Sequence, residues 1–294
     1  MGDVLTINKI LAAIDLGPDT EKILAYAEWL SKTGGIATQI EMLYVIDYAL
    51  TPPAYLVPYI EKEKIQNEKE LKKWAEKLNS LGIKTGHAIA AGRLIETFNT
   101  AIQDMGIDML VLGHKSHMIR PSSSERMIKS LDIPMLVVRG KKAGDAHIGG
   151  VGINRILCAV DFSEPSKRAL KVAKSLSEKS SSELIVTHVV SSLKMEKGFE
   201  RWKEMTEKDK SDYSNELIKD AEEEMCSFLQ VCGEVESVVR IGITYATIND
   251  ISMERDADLI VMGARGLSYT KGVILGSVSE SVIKSSPCPV MIVR

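Results

Sequence analysis

The sequence lacks several features that would assign it to a particular class of protein. It has only four cysteines in 294 residues, and neither a CxxC pair nor a histidine at zinc-site spacing accompanies them, so no disulfide framework or zinc site is expected. No apolar run approaches the roughly 20 residues of a membrane-spanning helix. The first residues show no basic flank before a long apolar core, which argues against a signal peptide. We therefore expect a cytoplasmic protein whose free thiols are buried or half-buried.

An excess of charge of one sign is also absent. The formal net charge is −3, from 37 Lys and Arg against 40 Asp and Glu. Neither nucleic acid nor a membrane is an expected partner, because both attract strongly basic surfaces. With 45% hydrophobic and 26% charged residues, the composition is that of a soluble globular protein. The length suggests about two domains, at roughly 100–200 residues each.

The two halves of the chain repeat each other. Three segments recur in the same order: KILAAID (9–15) as RILCAVD (155–161), IDMLVLG (107–113) as ADLIVMG (257–263), and IKSLDIPMLVVR (128–139) as IKSSPCPVMIVR (283–294). Such self-similarity indicates two copies of one domain. We place them at residues 1–140 and 152–294, joined by a polar, glycine-rich linker at 141–151.

Within each copy, short apolar runs alternate with helical stretches. The strands predicted in the second copy are 155–160, 183–190, 235–241, 259–262 and 290–293, with helices at 167–179 and 211–232. Continuous apolar runs are typical of parallel strands that are covered on both faces. Ile218, Ala221, Met225 and Phe228 lie at helical spacing, which predicts a core-facing stripe. The fold class is therefore α/β: two doubly wound, Rossmann-like domains, each with a five-stranded, mostly parallel sheet and helices on both faces.

A glycine-rich loop follows the fourth strand of the second copy. Gly263 and Gly266 are followed, after nine residues, by Gly276 and Ser277. Glycines let backbone approach a ligand, and a hydroxyl residue at a helix start, with free N–H groups and the helix dipole, favours phosphate. Ser277 and Glu280 match a capping box. A lone Gly-x-x-Gly is more often an ordinary turn, but the spacing to Gly-Ser favours a phosphate loop, although the chain has no Walker sequence.

The pattern Gly-x2-Gly-x9-Gly-Ser, which follows Val261-Met262 and precedes PCPVMIVR at 287–294, resembles the ATP-binding universal stress proteins. The resemblance covers both halves of the chain. It implies a domain like those of the adenine nucleotide alpha hydrolases, with ATP, which can carry Mg²⁺, or AMP as the ligand. By position, it implies adenine and ribose contacts from Ala159, Val160, Asp161 and Val189. It implies that the phosphates lie near Met262, Gly263, Gly266, Gly276, Ser277, Val278 and Ser279.

Asp161 has two interpretations. It could accept a hydrogen bond from the adenine amino group or from an adjacent donor. It could instead be a helix-start aspartate, since Ser163 and Pro165 follow as helix-start signals. Spacing alone leaves both open, and the glycine loop favours the ligand.

The first copy departs from the pattern. It keeps Asp15, Val45 and Gly113, but Ser116 stands where the second copy has its second glycine. Only four residues separate Ser116 from Pro121-Ser122, whereas nine separate the second glycine from Gly276 in the second copy. Proline removes conformational freedom and a backbone donor, while Ser122 and Glu125 still match a capping box. We expect this copy to bind nucleotide weakly or not at all. His114 and His117 could suggest metal or acid–base chemistry, but without a third ligand we interpret them as solvated loop residues.

The sequence favours a nucleotide-binding regulatory protein of the stress response, with no catalytic residue and no metal ligand assigned. The alternative is a slow ATPase or phosphotransferase that uses the same site. Against this alternative, the loop contains neither a Walker lysine nor paired metal-binding carboxylates.

The last strand of each copy, 135–139 and 290–294, is apolar and would lie at a sheet edge. The resemblance implies that such domains commonly pair through this strand. We expect the two copies to pair within one chain, with Val137, Val138, Ile292 and Val293 at the centre. A homodimer of whole chains is a further option.

Overall fold

The chain forms two compact units, Met1–Gly152 and Ile153–Arg294. The computed structural model describes residues 6–34, 38–48, 57–114, 122–192, 205–230, 233–266 and 275–294. Within these ranges, no helix combines the length and the apolar character needed to cross a bilayer.

The first domain alternates strands and helices along the chain. Its elements are β1 (Lys9–Ala13), α1 (Thr20–Gly34), β2 (Gln39–Asp47), α2 (Val57–Ser80), β3 (Thr85–Gly92), α3 (Leu94–Met105), β4 (Met109–Gly113), α4 (Ser123–Ser130) and β5 (Met135–Val138). The strands lie in the order β3-β2-β1-β4-β5, and all four neighbouring pairs are parallel. Parallel neighbours require crossover connections, which the helices provide.

The second domain repeats this plan. Its elements are β6 (Arg155–Val160), α5 (Glu164–Ser180), β7 (Glu183–Ser191), α6 (Glu207–Leu229), β8 (Glu236–Gly242), α7 (Thr244–Glu254), β9 (Leu259–Gly263), α8 (Ser277–Ser285) and β10 (Val290–Val293). The strand order is β10-β9-β6-β7-β8, again with parallel neighbours. The predicted α/β, doubly wound class with helices on both faces is confirmed. The five predicted strands agree with the structure to within one residue at each end.

Helix starts in the second domain differ more from the prediction. Helix α5 begins at Glu164 because Ser163 caps it and Pro165 lies in its first turn. Helix α6 begins at Glu207 because the Thr206 hydroxyl accepts a hydrogen bond from the Asp209 amide at 3.2 Å. The start of α5 therefore agrees with the helix-start signals at Ser163 and Pro165, although the predicted range began at 167. The cap of α6 lies upstream of the apolar stripe that predicted this helix, so the stripe sets its start too late.

The core lies between the sheet and its helices. Leu259, Ile260 and Val261 of β9 are fully buried, and burying one such side chain contributes about 1.5–3 kcal/mol. Of the predicted stripe on α6, Ala221 and Met225 are buried. Ile218 and Phe228 are only half-buried, and Leu229 takes the next core position.

The cysteines partly follow expectation. Cys158 and Cys288 are buried free thiols, but Cys226 is exposed on α6, contrary to the prediction that the thiols are buried or half-buried. Cys232 lies outside the described residues.

The segment predicted as a linker packs against the first domain. It contains a 3₁₀ turn at Lys141–Ala143, and both Ala143 and Ile148 are buried. Glu28 of α1, only 2% exposed, accepts hydrogen bonds from the Gly149 amide at 2.5 Å and from Lys32 Nζ at 2.7 Å. A buried carboxylate needs such partners, so Glu28 fastens this segment to α1.

Helix α3 begins without a side-chain cap of its own. Asp47, at the end of β2, accepts hydrogen bonds from the Leu94 amide at 3.0 Å and from Arg126 Nη1 at 2.8 Å. Burial alone would raise the pKa of Asp47, but these two hydrogen bonds and the charge of Arg126 hold that pKa below its usual value. The ionised form of Asp47 therefore stabilises the fold.

Candidate functional site

The predicted site residues converge where the strand order of the second domain reverses. Strand β6 has β7 on one side and β9 on the other, so the connections leaving β6 and β9 diverge and open a crevice at their carboxyl ends. Ligands of such sheets bind in this crevice. Ala159 lies opposite Met262 in the parallel register, and both side chains are at least 90% buried. Val160 ends β6, and Gly263 ends β9.

Asp161 shapes the start of α5. Its Oδ1 accepts hydrogen bonds from the Ser163 amide at 3.2 Å and from the Ser163 hydroxyl. The Ser163 hydroxyl in turn caps α5 by accepting from the Ser166 amide. The helix-start interpretation of Asp161 is therefore confirmed. Its carboxylate also faces the glycine loop, since a Cβ atom on Gly266 would overlap Oδ2.

The loop glycines do not act through left-handed backbone. None of Gly263, Gly266 and Gly276 has a positive φ angle, so none of them is required for a left-handed backbone conformation. The missing side chain matters at two of them. Gly266 makes room for the Asp161 carboxylate, and a Cβ on Gly263 would lie 3.1 Å from the Pro165 carbonyl carbon.

The first turn of α8 has no side-chain cap. Its N-cap residue is Gly276, with φ −77° and ψ 154°, so the predicted capping box of Ser277 and Glu280 is not formed. The Gly276 amide donates to the Ala264 carbonyl at 2.8 Å. This tertiary hydrogen bond fixes the helix start one residue before the position that the motif predicts.

Three backbone donors follow from this geometry. The amides of the first three residues of a helix have no acceptor within it, and here they belong to Ser277, Val278 and Ser279. The Ser279 hydroxyl donates to the Gly263 carbonyl at 2.9 Å, and Ser279 is 4% exposed. That hydroxyl joins α8 to the end of β9, so its proton is not directed toward a ligand. Ser277 is exposed.

The first domain closes the equivalent helix start. Ser122 caps α4 by accepting from the Glu125 amide at 3.2 Å, and the Glu125 carboxylate accepts from the Ser122 amide at 3.3 Å. This capping box confirms the prediction for Ser122, and it uses an amide that α8 leaves available. Asp15 retains a local role, because its Oδ1 accepts from the Gly17 amide at 2.8 Å.

One prediction for the first domain is wrong. His114 is not solvated but 8% exposed, and its Nδ1 lies 3.1 Å from the Ser124 hydroxyl. His114 is therefore a buried histidine that contacts the first turn of α4. His117 lies outside the described residues. Across the described ranges, no three His, Cys, Asp or Glu side chains are grouped as a metal site would require.

An aromatic cluster that the sequence analysis missed lies beside Asp161. Phe162, with φ 62°, stacks on His188 at a centroid distance of 4.3 Å, and it forms a T-shaped contact with Phe228 at a centroid distance of 5.4 Å. His188 Nδ1 lies 2.9 Å from the Val160 carbonyl oxygen. Because a carbonyl oxygen can only accept a hydrogen bond, Nδ1 carries the proton. Val189, the next residue of β7, is 7% exposed and points to the opposite sheet face, because side chains alternate along a strand.

A family profile described as Universal stress protein family matches the chain twice, over residues 6–139 and 152–294. The universal stress protein MJ0577 of Methanocaldococcus jannaschii is 30% identical over 152 residues, which are 48% of this chain and 94% of that protein. The crystal structure of a universal stress protein from Archaeoglobus fulgidus covers 98% of this chain and 96% of its own, with a TM-score of 0.68 and 26% identity. A universal stress protein solved in complex with cAMP covers 49% of this chain and 98% of its own, with a TM-score of 0.34 and 22% identity.

Proposed function

The chain belongs to the universal stress protein family, and we propose that its second domain binds an adenine nucleotide, ATP or AMP, as a regulatory ligand. The uncapped first turn of α8 is the observation that carries the proposal. It follows β9, which is one of the two strands flanking the crevice. An N-terminus of this kind presents backbone donors and a positive dipole end to an anion.

The phosphates would be held by the amides of Ser277, Val278 and Ser279. Each charge-assisted hydrogen bond of this kind contributes about 1.5–3 kcal/mol. Gly276 supports this arrangement because it has no side chain to occupy the amides. With ATP, Mg²⁺ would accompany the phosphates and reduce their charge.

The adenine and ribose would lie over the carboxyl ends of β6 and β7. Ala159, Val160 and Val189 line these strand ends with buried apolar side chains. The Asp161 carboxylate faces the same loop and could accept a hydrogen bond from the base, while it also serves the start of α5. Met262, Gly263 and Gly266 complete the crevice on the β9 side.

The proposal is regulatory because the nucleotide would favour whichever conformation binds it better. A cytoplasmic location fits such a ligand. The first domain would act without nucleotide or with a weak site, because Ser122 already caps the equivalent helix. No observation on the described residues favours the alternative of a slow ATPase or phosphotransferase.

The test is to denature purified protein, identify any released nucleotide by mass spectrometry, and follow ATP added to protein stripped of ligand. Bound but unconverted ATP or AMP supports the regulatory proposal. Turnover at enzyme-like rates supports the ATPase instead. A protein that carries no nucleotide and binds none on addition contradicts both.

We also propose that the two domains of one chain pair through β5 and β10. Each is the terminal strand of its own domain's sheet order and consists of apolar residues, and an uncovered apolar edge is an aggregation hazard. Proline at Val138 would remove a backbone donor from that edge. Small-angle scattering should show a compact wild type and a looser Val138→Pro variant. A wild-type profile of two flexibly linked domains would contradict this pairing.

A further inference from the structure

A groove of about 680 Å³ runs beside β3 in the first domain. Leu43, Ala88 and Ala90 line it on the side of the sheet, and Thr97 and Asp104 line it on the side of α3. The volume is within the roughly 300–1,000 Å³ of ligand-binding clefts. Its lining includes no residue of the central strands β1 and β4, and it belongs to the domain that we expect to bind nucleotide weakly or not at all.

The second domain contains a segment, β8–α7, that corresponds to the segment lining this groove. Gly92 and Gly242 both end a strand, and a Cβ on either would meet the hydroxyl of the threonine five residues later. The amides of those threonines, Thr97 and Thr247, both donate at 2.9 Å to the carbonyl four residues before. The β3–α3 and β8–α7 segments therefore correspond residue by residue.

In this correspondence, Ala90 matches Arg240 and Asp104 matches Glu254. Arg240 of β8 forms a two-pronged ion pair with Glu254 at the end of α7, with Nη1–Oε1 at 2.9 Å and Nη2–Oε2 at 2.5 Å. The first domain keeps the carboxylate on the helix but replaces the arginine by alanine. Ala90 lines the groove, so the short side chain leaves room at the position that Arg240 occupies in the second domain.

The groove has the charge to receive a cation. Asp104 is exposed and has no hydrogen bond or ion pair with any described residue. The charges on the rim balance, since Arg93 Nη1 lies 2.9 Å from Glu96 Oε1. An arginine fits better than a lysine because its guanidinium binds a carboxylate with two parallel hydrogen bonds, while the apolar stem of the side chain lies on an apolar surface. Ala88 and Ala90 offer the surface for that stem.

We propose that this groove receives an arginine side chain from a partner protein, with the guanidinium on Asp104 in the place that Arg240 takes beside Glu254. The outer position of β3 favours a polypeptide as the source. It is the terminal strand of its domain's sheet order, and an extended segment can run along such an edge while its side chains fill adjacent pockets.

The test titrates the full chain, labelled with ¹⁵N, with the capped tripeptide Ac-Ala-Arg-Ala-NH₂. Saturable shifts should appear in β3 and α3. The same peptide with citrulline, which keeps the shape of arginine but not its charge, should bind more weakly. Asp104→Asn should weaken the arginine peptide about twofold to fivefold, the range for a solvent-exposed ion pair. No saturable shifts, or equal binding of the citrulline peptide, would overturn the proposal.

Two further variants place the site. Ala90→Arg should fill the groove from within and abolish peptide binding while the remaining spectrum stays folded. Arg240→Ala should open the matching groove and create a second site beside Glu254. If Ala90→Arg leaves peptide binding unchanged, the peptide binds outside the groove and the proposal fails. If free arginine binds as tightly as the tripeptide, the ligand of the groove is a small molecule and not a partner protein. If Ala90→Arg does not fold, the proposal is still tested by the weaker peptide binding expected of Asp104→Asn and by the second site expected of Arg240→Ala.

Discussion

Exchanging Gly276 for aspartate should stabilise the second domain and at the same time weaken nucleotide binding. The backbone there, φ −77° and ψ 154°, is open to any residue. A new Cβ would lie 3.4 Å from the Ala264 carbonyl, an ordinary contact, and 3.9 Å from the Ser279 hydroxyl oxygen. The carboxylate can therefore reach the first-turn amides, as the Ser122 hydroxyl does in α4.

The two effects have separate magnitudes. An aspartate cap improves on glycine by a few tenths of a kcal/mol, and its charge at the helix N-terminus adds about 0.3–1 kcal/mol, so unfolding should become harder by about 0.5–1 kcal/mol. The nucleotide loses at least one charge-assisted hydrogen bond of about 1.5–3 kcal/mol. That loss corresponds to roughly tenfold to hundredfold weaker binding, and charge repulsion adds to it.

The assay combines calorimetric titration with ATP and AMP and urea unfolding of each variant. Gly276→Ala adds the same Cβ without a cap and should bind nearly as the wild type. Gly276→Ser caps without charge and should lie between alanine and aspartate. Equal affinity of the aspartate variant and the wild type would refute the reasoning, and so would an alanine variant that binds as poorly as aspartate.

Three further substitutions test other contacts. Gly266→Ala should displace the Asp161 carboxylate and weaken nucleotide binding by calorimetry; unaltered affinity would separate Asp161 from the site. Ser279→Ala should destabilise the second domain by about 1–3 kcal/mol in urea, because the Gly263 carbonyl loses a buried donor; an unchanged midpoint contradicts this. Asp47 has a lowered pKa, so it stabilises the fold above its ordinary pKa of about 3.9 and loses that effect as the pH falls through the lowered value. Asp47→Asn should therefore flatten the acid limb of the stability–pH curve, and an identical limb would exclude the role.

The strands were predictable because their signal is local. The runs 156–160 and 290–293 are apolar throughout and are flanked by Arg155 and Asp161 and by Pro289 and Arg294. The predicted strands 155–160 and 290–293 therefore agree with the structure at both ends. The repeat then transferred the plan of one domain to the other. The sequence also predicted the glycine loop after the fourth strand, and in a doubly wound sheet a loop in this position borders the ligand-binding crevice.

The remaining features depend on contacts between distant residues. The sequence S-x-x-E occurs at both Ser122 and Ser277, yet only Ser122 forms the box, because the hydrogen bond from Gly276 to Ala264 starts α8 one residue earlier. The stacking of Phe162 on His188 requires β6 and β7 to be neighbours. Neither the missing capping box at Ser277 nor this ring stacking can be predicted from a local sequence pattern.

The most direct measurement of the central claim is a titration of the ¹⁵N-labelled full chain with ATP, with its stoichiometry determined by calorimetry. We expect about one nucleotide per chain, with the largest amide shifts at Ser277, Val278 and Ser279 and none of comparable size at Ser122 and Glu125. Two equivalent tight sites, or shifts that concentrate at the start of α4, would contradict the account.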